Sequence, residues 1–101
     1  MIQDLNDKTF DKHTKDGLKL VEFYTDWCSF CQKQKPIIED LSKHGVWIGT
    51  LNADKFNSVT EKYGITGFPT FLLFKNGEII SKLSGFHDKS SLITKLMENL
   101  K

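Results

Sequence analysis

Cys28 and Cys31 are the only two cysteines in this 101-residue chain, and two residues separate them. They follow an apolar run, residues 20–24, and open a segment with helical periodicity. At this spacing both sulfurs lie on the first turn of a helix, so a disulfide between them can close and reopen without unfolding the chain. The pair therefore predicts a redox switch rather than a structural cross-link.

The position of each thiol in the helix suggests its chemical role. Only a thiolate attacks a disulfide, and a free cysteine is mostly protonated at neutral pH. At the start of the helix, Cys28 meets unpaired backbone N–H groups and the positive end of the helix dipole, an arrangement that favours a thiolate. We expect Cys28 to be the nucleophile and Cys31, one turn further and shielded, to be the resolving thiol. Two inert thiols are the alternative.

Glu22 interrupts the apolar run that precedes the cysteines. A carboxyl group in an apolar strand loses hydration, and its pKa is expected to rise. A raised pKa suits Glu22 to take the proton from Cys31 as that thiol attacks, directly or through a water. The alternative is a glutamate on a partly exposed strand face, paired with a lysine.

Length and charge limit the class of protein. We expect one domain, residues 1–101. The formal net charge is +1 and all 14 basic residues are lysines, so nucleic acid, which favours arginine, is not expected as a partner. No targeting segment or membrane-spanning run is visible, which predicts a cytoplasmic protein without membrane binding. We also expect a monomer.

No metal is expected, because a zinc site needs two more ligands and the three histidines are scattered.

The pattern along the chain predicts alternating strands and helices that position these residues. Strands are expected at about 2–5, 18–24, 46–51, 70–74 and 78–83, and helices at about 6–17, 28–42, 55–63 and from 88 onward. Asn76-Gly77 is a strong hairpin signal, so the last two strands are expected to be antiparallel neighbours. The last helix is expected to begin with Asp88 as its cap and to bury one stripe: Leu92, Ile93, Leu96, Met97 and Leu100. This order predicts an α/β fold, a three-layer α/β/α sandwich with a mixed sheet.

Several motifs, in this order and spacing, resemble the thioredoxin family over nearly the whole chain. Besides the strand with one buried acid, they are Trp27-Cys28-x-x-Cys31, Pro36, Gly64-Ile65-x-Gly67-Phe68-Pro69-Thr70, Phe74-Lys75-Asn76-Gly77 and Gly85. The resemblance implies the thioredoxin fold, with a five-stranded mixed sheet and four helices, and general dithiol–disulfide exchange. It also implies a cis peptide bond before Pro69, which would leave a backbone edge at Phe68 open for an extended substrate.

The resemblance further implies an apolar rim around the reactive sulfur, formed by Trp27, Phe68 and Phe86, with Gly85 and Pro69 in the same substrate-binding surface. For Phe30 two interpretations stand: its ring shields the disulfide and adds contact area, or it lies on the surface without a role. No bound cofactor is implied beyond the redox-active disulfide Cys28–Cys31.

This chain departs from typical thioredoxins at three places. Ser29-Phe30 stands between the cysteines, where thioredoxins have Gly-Pro and protein disulfide isomerases have Gly-His. The buried acid is Glu22, where thioredoxins have aspartate. Thr50 stands where many thioredoxins carry a lysine near that acid, so the proton-transfer environment differs.

The expected function is that of a thioredoxin, which reduces disulfides in protein substrates and is recharged by an external thioredoxin reductase. One alternative is a thiol oxidase or disulfide isomerase, because the residues between the cysteines shift the redox potential strongly and with it the direction of electron flow. The other alternative is a binding module that keeps the thioredoxin fold and does not depend on the thiols.

Overall fold

A computed structural model describes residues 2–100 of the chain. The strands are β1 Ile2–Asp4, β2 Leu18–Tyr24, β3 Ile48–Asn52, β4 Thr70–Lys75 and β5 Glu78–Ser84. The helices are α1 Phe10–Thr14, α2 Ser29–Lys43, α3 Asn57–Lys62 and α4 Lys89–Glu98. Within residues 2–100, no helix is both long and apolar enough to span a membrane.

The five strands form one mixed sheet in the order β1-β3-β2-β4-β5. Strands β1 and β2 both pair with β3 in parallel, whereas β4 runs antiparallel to β2 and to β5. The predicted hairpin is present, and Asn76 and Gly77 both have the positive φ angles that its turn requires. This arrangement confirms the expected fold class and places β2, which leads to the cysteines, in the middle of the sheet.

The sheet separates two hydrophobic cores, because successive side chains of a strand point to opposite faces. Val21 and Phe23 of β2 pack on one face with Phe10 of α1 and Val59 of α3. The opposite core lies beneath α2 and α4, and its members include Leu20, Ile38, Leu41, Phe71, Leu92 and Leu96. Glu22 has the same parity as Leu20, so it faces α2, the helix that begins at the cysteines.

The first helix is much shorter than predicted and begins only at Phe10. The Asn6 side chain instead forms a turn, in which its Oδ1 accepts the backbone N–H groups of Lys8 at 2.8 Å and Thr9 at 2.9 Å. Asparagine readily offers the backbone this alternative to a helix. The start predicted at residues 6–7 therefore marks a turn, and Phe10 opens the helix.

The last helix has the predicted cap but not the whole predicted stripe. Asp88 precedes α4, and its Oδ1 accepts the N–H of Ser91 at 2.9 Å. Leu92 and Leu96 are buried, but Met97 and Leu100 are exposed, so the prediction was wrong for these two residues. Met97 follows the buried Leu96 by one residue and so projects from another side of the helix, and Leu100 lies beyond the end of the helix at Glu98.

Candidate active site

Cys28 and Cys31 lie at the start of α2 and form a disulfide, with their Cα atoms 5.2 Å apart. Cys28 is the N-cap residue, with extended backbone angles, rather than the first helical residue that the sequence predicted. Its Sγ accepts the backbone N–H of Cys31 at 3.1 Å. Both residues are largely buried, with 6% and 7% of their surface exposed. The helix start thus supplies a backbone donor to the Cys28 sulfur, as expected.

Glu22 is buried in β2, with only 3% of its surface exposed. Its Oε2 has no hydrogen-bond partner among the residues that the structure describes. Loss of hydration raises the pKa of Glu22 to about 8. The alternative of a half-exposed glutamate paired with a lysine is therefore wrong.

A cleft of about 610 Å³ is lined by both Glu22 and Cys31. Thr50 of β3 and Asp4 of β1 continue the same row of the sheet, since Asp4 pairs with Thr50 and Thr50 pairs with Glu22. The Thr50 hydroxyl donates to Asp4 Oδ1 at 3.0 Å, so its proton is not directed at Glu22. The cleft gives water a path to both Glu22 and the inner sulfur.

Tyr24 lines the same cleft and is half-buried. Burial, together with the charges of Asp4 and Asp26, raises the pKa of its phenol above the ordinary value. The phenol therefore stays protonated at neutral pH.

The first side of the rim consists of Trp27 and Phe68, whose rings meet edge to face at 6.1 Å between centroids. Trp27 is 71% exposed, and its indole N–H donates to Asp54 Oδ2 at 2.8 Å. Phe68 precedes Pro69, and the peptide bond between them is cis, as the resemblance implied. Trp27, which precedes Cys28, is thus largely exposed, whereas Phe68 is half-buried and packs against the core that contains Phe10 and Phe23.

Phe86, the third residue of the predicted rim, lies near Phe30, with the ring centroids 6.3 Å apart. The Gly85 N–H donates to the Pro69 carbonyl at 2.8 Å, which connects the loop of Phe86 to the residue after Phe68. Phe30 and Phe86 remain 53% and 39% exposed. Phe30 is therefore an exposed apolar side chain between the two cysteines, and a role for its ring stays a prediction.

Comparison with known proteins agrees with this geometry. The family model described as Thioredoxin matches residues 1–98. The chain belongs to the thioredoxin family. It is 38% identical to a thioredoxin from Rickettsia bellii, with 99% of this chain and 100% of that protein covered. It is 34% identical to a thioredoxin from Chlamydia caviae, with 92% of this chain and 93% of that protein covered. A mutant thioredoxin from Halobacterium salinarum has a similar structure, with a TM-score of 0.93, 25% identity and coverage of 99% and 91%.

Membership of the thioredoxin family and the disulfide at the start of α2 together define the activity. The chain is a thioredoxin-type dithiol–disulfide oxidoreductase with protein-disulfide reductase activity. The thioredoxin family needs no bound cofactor, because the electron pair is carried by the two sulfurs. Among residues 2–100 there is no group of three or more His, Cys, Asp or Glu side chains placed to hold a metal ion.

Two residues that the sequence did not single out also belong to this thioredoxin site. Asp54 fixes the Trp27 indole through the hydrogen bond described above. Gln34 is completely buried in α2, and its side chain binds the backbone of His87. A signal for Gln34 was available, because it falls with Cys31, Ile38 and Leu41 on the buried face of α2. An amide on that face needs a hydrogen-bond partner.

Proposed function

We propose that this member of the thioredoxin family reduces disulfides in protein substrates through Cys28 as the nucleophile and Cys31 as the resolving thiol. The observation that carries the proposal is the Cys28 sulfur at the helix N-terminus, where it accepts the N–H of Cys31. A donor and a helix dipole directed at this sulfur stabilise a thiolate more than a thiol. Cys31 lies one turn further into the helix and faces the cleft that contains Glu22.

The proposed reaction has two exchange steps. The Cys28 thiolate attacks one sulfur of the substrate disulfide, forms a mixed disulfide and expels the other substrate sulfur as a thiolate. Cys31 then loses its proton and attacks the Cys28 sulfur, which releases the second substrate thiolate and forms the Cys28–Cys31 disulfide. Two electrons pass to the substrate, whose two sulfurs take up protons from the solvent.

Glu22 is proposed as the acceptor of the Cys31 proton in the second step. Its pKa of about 8 lies close to the ordinary pKa of a cysteine thiol, roughly 8.5, so proton transfer between them is nearly balanced. Both residues line the same cleft, which allows transfer directly or through one water.

The substrate segment is proposed to lie across the rim. Trp27, Phe68 and Phe86 offer apolar contacts, and the backbone of Phe68, before the cis bond to Pro69, offers an edge to which an extended segment can add as a strand. Such a surface suits a polypeptide disulfide whose flanking residues are extended, because backbone pairing does not depend on one particular sequence.

Single-cysteine variants test this assignment. The wild type is expected to reduce the interchain disulfides of insulin with dithiothreitol as electron donor, and Cys28→Ser is expected to have no activity above the donor alone. Cys31→Ser is the matched control: it is expected to form the mixed disulfide and retain it. If Cys28→Ser reduced insulin as fast as the wild type, the reactive thiol would be wrongly assigned and the thiol-independent binding module would be favoured.

The direction of electron flow is tested by equilibrium with a glutathione buffer. The cysteine pair of a reductase is expected to have a reduction potential of about −270 mV. The potential of an oxidase or isomerase is about 90–150 mV higher. Alkylation of the free thiols at a series of glutathione ratios measures this potential. A value of about −120 to −180 mV would contradict the reductive role. It would favour the alternative of an oxidase or isomerase, which the Ser29-Phe30 sequence between the cysteines allows.

We further propose a thioredoxin reductase as the electron donor, a monomeric state and a location in the cytoplasm. A protein that reduces disulfides needs a compartment in which thiols are kept reduced, as they are in the cytosol. The electron donor is tested by adding a thioredoxin reductase with its nicotinamide nucleotide and following reduction of the disulfide. Light scattering tests the monomeric state. Fractionation of cells tests the location.

A further inference from the structure

Gln34 makes an unusual connection between α2 and the loop that precedes α4. None of its surface is exposed to solvent. Its Nε2 donates to the His87 carbonyl at 2.7 Å, and its Oε1 accepts the His87 N–H at 2.9 Å. Each end of the amide thus has a partner, and both partners belong to one residue far away in the sequence. The helix that carries Cys31 is thereby joined to the backbone directly after Phe86.

The loop is also fixed directly before Phe86. The Gly85 N–H donates to the Pro69 carbonyl at 2.8 Å, and Gly85 has a φ of +86°, which favours glycine over other residues. The ring Nδ1 of His87 lies 2.9 Å from the Gly85 carbonyl and closes the loop on itself. Phe86 is therefore held between two backbone attachments, one to Pro69 and one to Gln34.

The attachments determine where the exposed ring of Phe86 lies. Its centroid is 6.3 Å from that of Phe30, with the ring planes tilted by 43°. Phe30 lies between the two cysteines in the sequence, at the start of α2, and we call the Phe30–Phe86 pair the aromatic wall. Both rings retain a large exposed surface. An aromatic side chain of a substrate is the partner that best matches two rings of this kind.

We propose that Gln34 is a positioning residue for substrate selection. By holding the Gly85–His87 backbone, it keeps Phe86 against Phe30, and the wall so formed makes the chain prefer disulfides that have an aromatic residue next to the reacting cysteine. The proposal rests on the proposed exchange through Cys28, but it does not depend on the direction of electron flow. The Gln34 amide acts on the substrate only through Phe86.

The test compares two peptide disulfides that differ in one residue beside the cysteine, Phe in one and Ser in the other. The wild type is expected to have a lower KM for the Phe peptide by about threefold to tenfold, the effect of one added aromatic contact, with a similar kcat for both. Gln34→Met keeps the length of the side chain and removes both hydrogen bonds. It is expected to lose the preference through KM alone. Gln32→Met, the same change at an exposed site of α2, is the control and is expected to retain it.

Two further measurements distinguish positioning from a general loss of structure. Phe86→Ala is expected to abolish the preference, and Gln34→Met added to it is expected to change KM no further, because both act through one ring. Hydrogen exchange of the His87 amide, the donor to Gln34, is expected to be faster in Gln34→Met and unchanged in Gln32→Met.

The outcomes separate this proposal from the proposed function. If the wild type exchanges with neither peptide, the function assigned to Cys28 fails and this proposal fails with it. If the wild type exchanges with both peptides at equal KM, only the proposal about the aromatic wall is overturned. If Gln34→Met keeps the full preference, or lowers kcat equally for both peptides, Gln34 does not position Phe86.

Discussion

The raised pKa of Glu22 follows from the burial of its carboxyl group. Leu20 in β2 and Phe71 and Leu73 in β4 belong to the core on the same side of the sheet as Glu22 and are almost fully buried, so its carboxyl group lies where hydration is lost. Thr50, the neighbour on β3, directs its hydroxyl to Asp4. The charged form of Glu22 therefore lacks the donors that would stabilise it, and its pKa rises to about 8.

The first prediction concerns resolution of the mixed disulfide. Glu22→Gln is expected to slow it by about tenfold to a hundredfold, because the variant has no carboxylate to take the Cys31 proton. The wild-type rate is expected to rise with pH through about 8, as Glu22 ionises, whereas the variant is expected to lack this step. Quenched-flow trapping of the mixed disulfide from pH 6 to 9 measures both. Glu39→Gln, the same change at an exposed glutamate lining the cleft, is the control. Identical wild-type and Glu22→Gln profiles would exclude the role.

The second prediction concerns stability. Between pH 4.5 and about 8 the unfolded chain has released the Glu22 proton while the folded chain retains it, so the folded state binds more protons. The contribution of Glu22 to the free energy of unfolding is thus fully present below pH 4.5 and is lost as the pH rises through about 8. Glu22→Gln is expected to gain on the order of a few kcal/mol relative to the wild type between pH 4.5 and 9.

Urea unfolding of the oxidised proteins across this range measures the difference. Taking the difference removes the titration of groups that both proteins share. The Glu39→Gln control is expected to follow the wild type within about 0.5 kcal/mol, as an exposed substitution. A Glu22→Gln difference that does not change with pH would contradict the raised pKa.

At the scale of the elements, α1 is too short to be stable on its own and depends on a single side chain. It has five residues and no side-chain hydrogen bond at its cap. Phe10 packs against Phe23, Tyr63 and Phe74, with ring centroids at 5.9, 5.3 and 5.7 Å. The helix is therefore held to the sheet by an aromatic cluster rather than by its own backbone hydrogen bonds.

The third prediction follows from this cluster. Phe10→Ala is expected to lower the free energy of unfolding by about 3–5 kcal/mol, through lost burial and the cavity that remains. Phe30→Ala, a change at an exposed phenylalanine, is expected to lower it by less than about 1 kcal/mol. Urea unfolding measures both. Phe10→Leu is measured as well, in case the alanine variant does not fold. Its free energy of unfolding is expected to lie between that of the wild type and that of Phe10→Ala. Equal losses for Phe10→Leu and Phe30→Ala would contradict the dependence of α1 on Phe10.

At the scale of the whole molecule, the two cores on either side of the sheet supply the stability, and the disulfide serves the chemistry. The loop that the disulfide closes has a sequence separation of three residues, so it removes little entropy from the unfolded chain. The cores are formed from residues throughout the chain, from Leu5 to Leu96. The scaffold is therefore expected to keep its shape while the sulfurs change state.

The fourth prediction is that reduction leaves the fold intact. The reduced protein is expected to unfold in one cooperative transition, with a free energy at most about 2 kcal/mol below that of the oxidised protein. Far-ultraviolet circular dichroism in urea, with and without dithiothreitol, measures this. The variant with both Cys28→Ser and Cys31→Ser is the control, and dithiothreitol is expected to have no effect on it. A reduced protein that is unfolded without urea would show that the disulfide is a structural cross-link.

Sequence patterns were informative wherever the information is local. The spacing of Cys28 and Cys31, the hairpin signal of Asn76-Gly77 and the cap at Asp88 each depend on a few adjacent residues, and the structure has all three. The motifs around them were sufficient to predict the thioredoxin fold. The failures at the start of α1 and the end of α4 arose where a local pattern allows two outcomes. Asn6 can cap a helix or form a turn, and an apolar residue at helical spacing, such as Met97, can face the core or the solvent.

The sequence by itself therefore determined the fold, the redox pair and the presence of an acid before it, because periodicity and short spacings encode them. Tertiary structure alone decided that Thr50 turns its hydroxyl to Asp4, that Asp54 holds the Trp27 indole, and that Gln34 holds the backbone after Phe86. These contacts join residues between 27 and 53 positions apart. Which residues meet depends on the register of the sheet and on the packing of α2 against the loop. A local sequence pattern does not predict either.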